Sequence, residues 1–260
     1  MRNSQHELKQ IAENCANKIE HANEHGSYFE GPFQHIILDS FLPESVAKSV
    51  LDAFPDLDDP TWEKTNDAGL EIKARTNWAS EFDVPEGIVG AIRILNSAMV
   101  LKAMSKALSI PKLMPDPYFT GGGLNVTEKN GLLDVHIDGN YHDASGMNRR
   151  VNILIYFNPE WEESWGGQFG IYDTSGSNLV KAVEPIFNRC VIFDTHDKSF
   201  HGLPNPINFP ANKPRRSILL YYYTVAPRNP EQIVEASPHS ALWKSKGMLD
   251  KRGNKRRSHD

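Results

Sequence analysis

The sequence predicts a mainly β protein with flanking helices: a β-sandwich or jelly-roll core preceded by N-terminal helices. Three observations predict it. From Tyr118 onward, short β-rich runs follow one another: GGGLNVTE, LLDVHID, RRVNILIYFN, GQFGIYD, CVIFDT and RRSILLYYYTV. Clusters of Gly, Pro, Asn and Asp separate them, as hairpin turns require. No long helical pattern lies between the runs, which argues against βαβ units and a parallel sheet.

The elements upstream follow from periodicity and punctuation. Residues 5–25 carry Leu8, Ile11, Ala12, Cys15, Ile19 and Ala22 at three- and four-residue spacing, which predicts an amphipathic helix. PFQHIILDSFL, residues 32–42, reads as a short strand with an Asp-Ser turn. Pro43 suits a first helical turn and opens a helix through about Phe54. Residues 55–85, rich in Asp, Pro, Thr and Asn, read as irregular structure with short strands. Val89, Ile92, Leu95, Met99 and Leu108 predict a second long helix over 86–108, ended by Pro111. The division expected is a helical support region over 1–115, the jelly-roll core over 116–228 and a polar tail over 229–260, all in one structural domain. The basic end, KRGNKRRSHD, reads as a solvated, frayed tail.

Bulk properties narrow the function. A formal charge of -5 offers no general attraction for nucleic acid or anionic membranes. Apolar runs such as Val151–Phe157 and Ile218–Val225 are too short to span a bilayer. The N-terminus lacks the apolar stretch of a signal peptide, and Cys15 and Cys190 are too few for a disulfide framework. A cytoplasmic location is expected.

The chemistry concentrates in three places. DVHIDGN sets His136 and Asp138 two positions apart before a glycine, which alone is either a polar strand end or part of a metal site. CVIFDTHDKSFHGLPNP adds His196 and His201. His201, before Gly-Leu-Pro and just past a strand, is the preferred third ligand, and His196 reads as a loop or supporting histidine. Two imidazoles and one carboxylate on one face leave positions open, which suits Fe(II), whereas a structural zinc site is closed. In PRRSILLYYYT, Arg215 and Ser217 point to one face of a strand and can clamp a carboxylate, while Arg216 points away. An inward arginine in so apolar a strand needs an anionic partner.

In this order, His136-x-Asp138, His201 and Arg215-x-Ser217 resemble the Fe(II)/2-oxoglutarate-dependent dioxygenases, in particular the prolyl 4-hydroxylase-like branch. RRVNILIYFNPEW resembles that branch's strand ending in Tyr-aliphatic-Asn before Trp, and SWGGQFGIYD resembles its Gly-Gly turn and next strand. PFQHIILDSFLP resembles the entry strand and helix of bacterial members. The resemblance implies a double-stranded β-helix, or cupin-like, core, with Fe(II) as metal and 2-oxoglutarate and O2 as cosubstrates. It assigns His136, Asp138 and His201 to iron, Arg215 with Ser217 to the distal carboxylate of 2-oxoglutarate, and the Tyr156 hydroxyl to that same carboxylate. Tyr156 reads equally as a core tyrosine. Arg149 and Phe169 fall at positions bordering the pocket on the substrate side. Relatives often carry a hydrogen-bonding residue about ten positions before the first histidine; here Asn125 and Thr127 stand in that region. Halogenating relatives lack the carboxylate that Asp138 supplies, so the resemblance implies hydroxylation of an unactivated C–H bond, with release of succinate and CO2.

The substrate expected is an amino acid, a peptidyl side chain or a natural-product intermediate rather than nucleic acid. Trp62, Trp78, Tyr141 and Trp165 stand as an aromatic mouth, with Trp62 and Trp78 reading equally as packing residues. Two other functions fit parts of the pattern: a non-catalytic jelly roll holding an acidic ligand on Arg215, and a metal-dependent hydrolase or isomerase. The second leaves the Arg-x-Ser pair without a purpose, because hydrolysis needs no dicarboxylate.

Overall fold

The computed structural model describes residues 4–67, 69–203 and 205–251. Helix α1 (Gln5–Glu20) starts at Ser4, whose side chain accepts from the Glu7 N–H while the Glu7 carboxylate accepts from the Ser4 N–H. Strands β1 (Tyr28–Phe29) and β2 (His35–Leu38) pair antiparallel, and α2 (Glu44–Asp52) follows Pro43. Strands β3 (Trp62–Asp67) and β4 (Glu71–Thr76) form a hairpin inside the segment expected to be irregular.

The long helix expected over 86–108 is two helices, α3 (Glu86–Leu95) and α4 (Ala98–Ala107), bent by 45° at the break. Asn96 ends the first, and the Ser97 hydroxyl caps the second by accepting from the Val100 N–H. The apolar rhythm runs on through the break because both helices bury the same side of the chain.

The remaining strands are β5 (Met114–Pro115), β6 (Gly123–Thr127), β7 (Leu132–Leu133), β8 (His136–Ile137), β9 (Asn148–Tyr156), β10 (Phe169–Tyr172), β11 (Leu179–Val183), β12 (Cys190–Asp194), β13 (His201–Gly202), β14 (Arg215–Thr224) and β15 (Leu242–Trp243). They form two antiparallel sheets. The larger runs β1-β2-β12-β9-β14-β6-β4-β3, with β5 on β14 and β7 on β4; the smaller runs β11-β10-β13-β8-β15. The N-terminal region thus donates strands to the main sheet as well as helices to its back.

Alternation on β9 shows how the layers are built. Ile153 and Ile155 pack with Ile192, Ile218 and Leu220 against the helices, in one core with Ile19, Val50, Ile88, Leu95 and Val100. Leu154 and Tyr156 face the other way, onto Phe169, Ile171 and Phe193 between the sheets. A strand covered on both faces reads as a nearly continuous apolar run, as ILIYF (153–157) does. Its pairing with β14 slips near the start: Tyr222 opposes Val151 and Tyr223 opposes Arg149, so Arg150 is passed over. Such a bulge re-aims the neighbouring side chain.

Two expectations change. Trp62 and Trp78 are core residues, and Trp165 packs on Phe209 in a separate cluster, so these tryptophans are packing groups. Residues 229–251, expected as tail, fold back on the smaller sheet, where Leu242 opposes Ile137 and Trp243 opposes His136. The rest of the basic end, residues 252–260, lies outside the described residues, as does Pro204 of the Gly-Leu-Pro turn.

Candidate metal and cosubstrate site

Strands β8 and β13 pair so that His136 and His201 stand directly opposite one another. Each ring is fixed by its own strand: His136 Nδ1 lies 2.8 Å from the Asp134 carbonyl and His201 Nδ1 lies 2.9 Å from the Ser199 carbonyl. A carbonyl only accepts, so both Nδ1 atoms carry the proton and both Nε2 atoms present a lone pair. Asp138 lies between them, Oδ1 at 3.6 Å from His136 Nε2 and Oδ2 at 3.7 Å from His201 Nε2. Those gaps are too long for hydrogen bonds. One donor atom from each residue falls within 4.8 Å of the others, a grouping able to hold a metal ion.

The electrostatics agree with that use. Burial, then the neighbouring His136, pushes the His201 imidazole down to about 4, so it is neutral near pH 7. Burial opposes the charge on Asp138, yet His201, His136 and Arg149 outweigh it and hold the carboxyl well below its ordinary range. The Arg149 guanidinium adds a standing positive charge, at 3.7 Å from Asp138 Oδ1. Asn152 Nδ2 also donates to Asp138 Oδ2 at 2.7 Å. The result is an ionised carboxylate between two imidazole rings.

The three groups open into one cavity. Its far side is formed by β6 and β14, where Ser217 opposes Asn125 and Arg215 opposes Thr127; all four line the cavity. Arg215 is 6% exposed. Its Nε donates to the Gly167 carbonyl at 2.8 Å and its Nη2 to the Tyr156 hydroxyl at 3.3 Å, and neither partner is charged. Burial pushes Tyr156 up to about 12, so the hydroxyl keeps its proton. Tyr156 therefore stands against the guanidinium rather than in the cavity lining. Asn125 Nδ2 is buried without a hydrogen-bond partner among the described residues, a donor aimed into the same space. Leu154, Phe169, Phe193, Leu203 and Leu219 give much of the remaining wall an apolar surface.

The other residues singled out in the sequence fall as follows. Phe169 lines the cavity, 5.5 Å from the His201 ring. Arg149 stacks on the Tyr221 ring at 3.9 Å, behind Asp138. His196 is apart from the triad: its Nδ1 accepts from the Lys198 N–H and its ring meets Phe33 edge-on. Arg216 directs its backbone N–H to Asn158 and does not line the cavity. Two residues were missed. Asn152, an amide inside the apolar run VNILIY, signals a buried polar group that needs a partner. Lys73 reaches the cavity from β4 and carries no sequence signal of its own.

An iron ion fits this donor set: two imidazole nitrogens and one carboxylate on one side, with space on the other. The Asn125 amide and the Arg215 guanidinium equally fit a dicarboxylate. Comparison with known proteins agrees. Residues 122–223 match the family model described as the 2OG-Fe(II) oxygenase superfamily. Among curated proteins, the chain is 28% identical over 106 residues to the mouse (Mus musculus) prolyl 3-hydroxylase OGFOD1, covering 38% of this chain and 19% of that protein. The Xenopus laevis OGFOD1 is 28% identical over 101 residues, covering 37% and 19%. The matched segment thus spans about a fifth of the length of these relatives.

Among solved structures, a prolyl hydroxylase from Trichoplax adhaerens in complex with a hypoxia inducible factor oxygen degradation domain peptide fragment superposes with a TM-score of 0.59 at 20% identity, over 85% of this chain and 94% of that one. A Pseudomonas putida prolyl-4-hydroxylase gives 0.56 at 16% identity, over 80% and 98%. These likenesses carry the fold, the double-stranded β-helix of the prolyl hydroxylases with helices added in front. Over residues 122–223 the chain is thus similar to the 2OG-Fe(II) oxygenase superfamily, on a fold shared with the prolyl hydroxylases.

Proposed function

We propose that the chain is an Fe(II)- and 2-oxoglutarate-dependent hydroxylase acting on a prolyl residue of a peptide or protein. One observation carries this reading: the His136–Asp138–His201 group and the buried Arg215 guanidinium open into the same apolar cavity. A metal site and an anion site sharing one space suit an enzyme whose metal must meet a dicarboxylate. The curated relatives are prolyl 3-hydroxylases by name, and the Trichoplax neighbour holds a peptide, which favours a peptidyl substrate over a free small molecule.

His136, Asp138 and His201 would hold iron through the two Nε2 atoms and the carboxylate. When bound, iron with 2-oxoglutarate and O2 supplies the oxidation of a C–H bond, with succinate and CO2 as coproducts. The protein does the rest by placement. Arg215 takes the distal carboxylate, held in direction by the Gly167 carbonyl and the Tyr156 hydroxyl, so that its remaining N–H groups face the ligand. Ser217 and Asn125 add a hydroxyl and an amide donor beside it. The leucines and phenylalanines exclude water, which strengthens each charged contact. A reducing compartment such as the cytoplasm suits the free, buried Cys15 and Cys190.

The test is anaerobic loading with Fe(II) and 2-oxoglutarate, then O2 with a panel of prolyl peptides, read as succinate formed. His136→Ala, Asp138→Ala and Arg215→Ala should each lose most turnover, with added 2-oxoglutarate partly restoring only the last. Turnover untouched in all three would overturn the assignment.

A further inference from the structure

The segment following the β core is held against the strand that carries His136. Trp243 opposes His136 across β15 and β8, and its indole stacks on the imidazole with centroids 4.8 Å apart and planes 30° apart. On the other side of His136 lies the His201 ring, at 4.4 Å. Trp243 is 2% exposed, and its indole N–H has no hydrogen-bond partner among the described residues. Ring contact rather than a hydrogen bond therefore keeps the indole in place.

The chain on both sides of His136 is tied to the same segment. Before it, the Ser245 hydroxyl donates to the Asp134 carboxylate and the Lys244 N–H to the Val135 carbonyl. After it, the Asn140 amide donates to the Ser237 carbonyl at 3.1 Å, and its oxygen accepts from the His239 N–H at 2.9 Å. Gly139 has no room for a side chain, because a Cβ there would lie 2.9 Å from the His239 carbonyl oxygen. The glycine of DVHIDGN thus admits this backbone. A buried group anchors the approach: Arg228 and His239 contact Asp197 Oδ1, while Oδ2 accepts from the N–H groups of Val234 and Glu235.

We infer that Trp243 is a positioning residue for the metal centre, its indole stacking on the His136 ring so that Nε2 stays aimed at the site. This rests on the reading of His136, Asp138 and His201 as metal ligands. The Asp134 carbonyl fixes one edge of the imidazole, and the indole limits rotation of its plane. Without the indole the ring turns more freely, and the metal meets a less ordered donor.

The experiment compares Fe(II) binding by the full chain, under argon, in the wild type and in Trp243→Phe, Trp243→Leu and His136→Ala, together with quenching of tryptophan fluorescence by the metal. Trp243→Phe keeps a flat ring and should bind near wild-type strength, whereas Trp243→Leu should weaken binding by about tenfold. Fe(II) should quench the wild type more than Trp243→Phe, because the ring beside the ligand is gone. A folded Trp243→Leu with wild-type affinity overturns the inference. So does equal quenching of the wild type and Trp243→Phe, a result that stands even if the leucine variant does not fold. If the wild type and His136→Ala bind Fe(II) equally, the metal reading itself fails and this inference with it.

Discussion

At the scale of single residues, the site depends on charges and lone pairs held in fixed states. Asn152 shows this most simply, since its amide donates to the Asp138 carboxylate at 2.7 Å. Asn152→Leu should weaken Fe(II) binding by roughly tenfold, measured by titration under argon, because removing a hydrogen-bond partner loosens the ligand it holds. Unchanged affinity would show that Arg149 alone orients the carboxylate. His196 reports on folding instead. Burial, then the positive charge of Arg228, pushes its imidazole from 6.5 down to about 4. The unfolded chain therefore takes up a proton that the folded chain refuses. Its contribution is complete above pH 6.5 and is lost as the pH falls toward 4, on the order of 3 kcal/mol. His196→Asn retains a neutral acceptor for the Lys198 N–H. Urea melts of this variant should show a flatter pH dependence than the wild type across that window; parallel curves would contradict the shift.

At the scale of elements, the metal group exists because two two-residue strands meet in exact register. Gly202 on β13 allows it: a Cβ there would lie 2.8 Å from the Leu133 carbonyl and 2.9 Å from the Asp134 carbonyl. The carbonyl of Asp134 also fixes His136, so pushing it aside disturbs both histidines. Gly202→Ala should cost about 1–3 kcal/mol in thermal unfolding. It should also weaken Fe(II) binding, and a variant with wild-type melting would show that the strands part easily. The Ser97 cap is a milder case: Ser97→Ala should cost about 1 kcal/mol and lower Tm by about 2–4 °C. That break was hidden in the sequence because apolar spacing records which face is buried and not where the chain bends. An Asn-Ser pair, good cap chemistry in the middle of the pattern, was the available signal. Strand β15 was hidden for another reason. Leu242 and Trp243 are two apolar residues in a polar stretch, too few to establish a period.

Across the whole molecule, the large sheet carries Arg215, Ser217 and Asn125, the small sheet carries His136 and His201, and the helices cover the back. This division explains which parts were legible. That His136, Asp138, His201, Arg215 and Ser217 gather around one cavity was legible, because metal and dicarboxylate chemistry call for such side chains together and strand alternation ties Arg215 to Ser217. The double-stranded core was legible from its many short, turn-bounded runs. Lys73 and Trp243 were not, since each reaches the site through pairings between strands distant in sequence. The central claim is that the cavity couples 2-oxoglutarate turnover to oxidation of a prolyl residue. Its most direct test is turnover of a prolyl peptide panel with Fe(II), 2-oxoglutarate and isotopically heavy O2, followed by mass spectrometry of peptide and succinate together. The account predicts one heavy oxygen atom on the peptide's proline for each succinate formed, lost with Asp138→Ala. Peptides left unmodified by an iron-loaded enzyme, or altered without heavy oxygen, would contradict it.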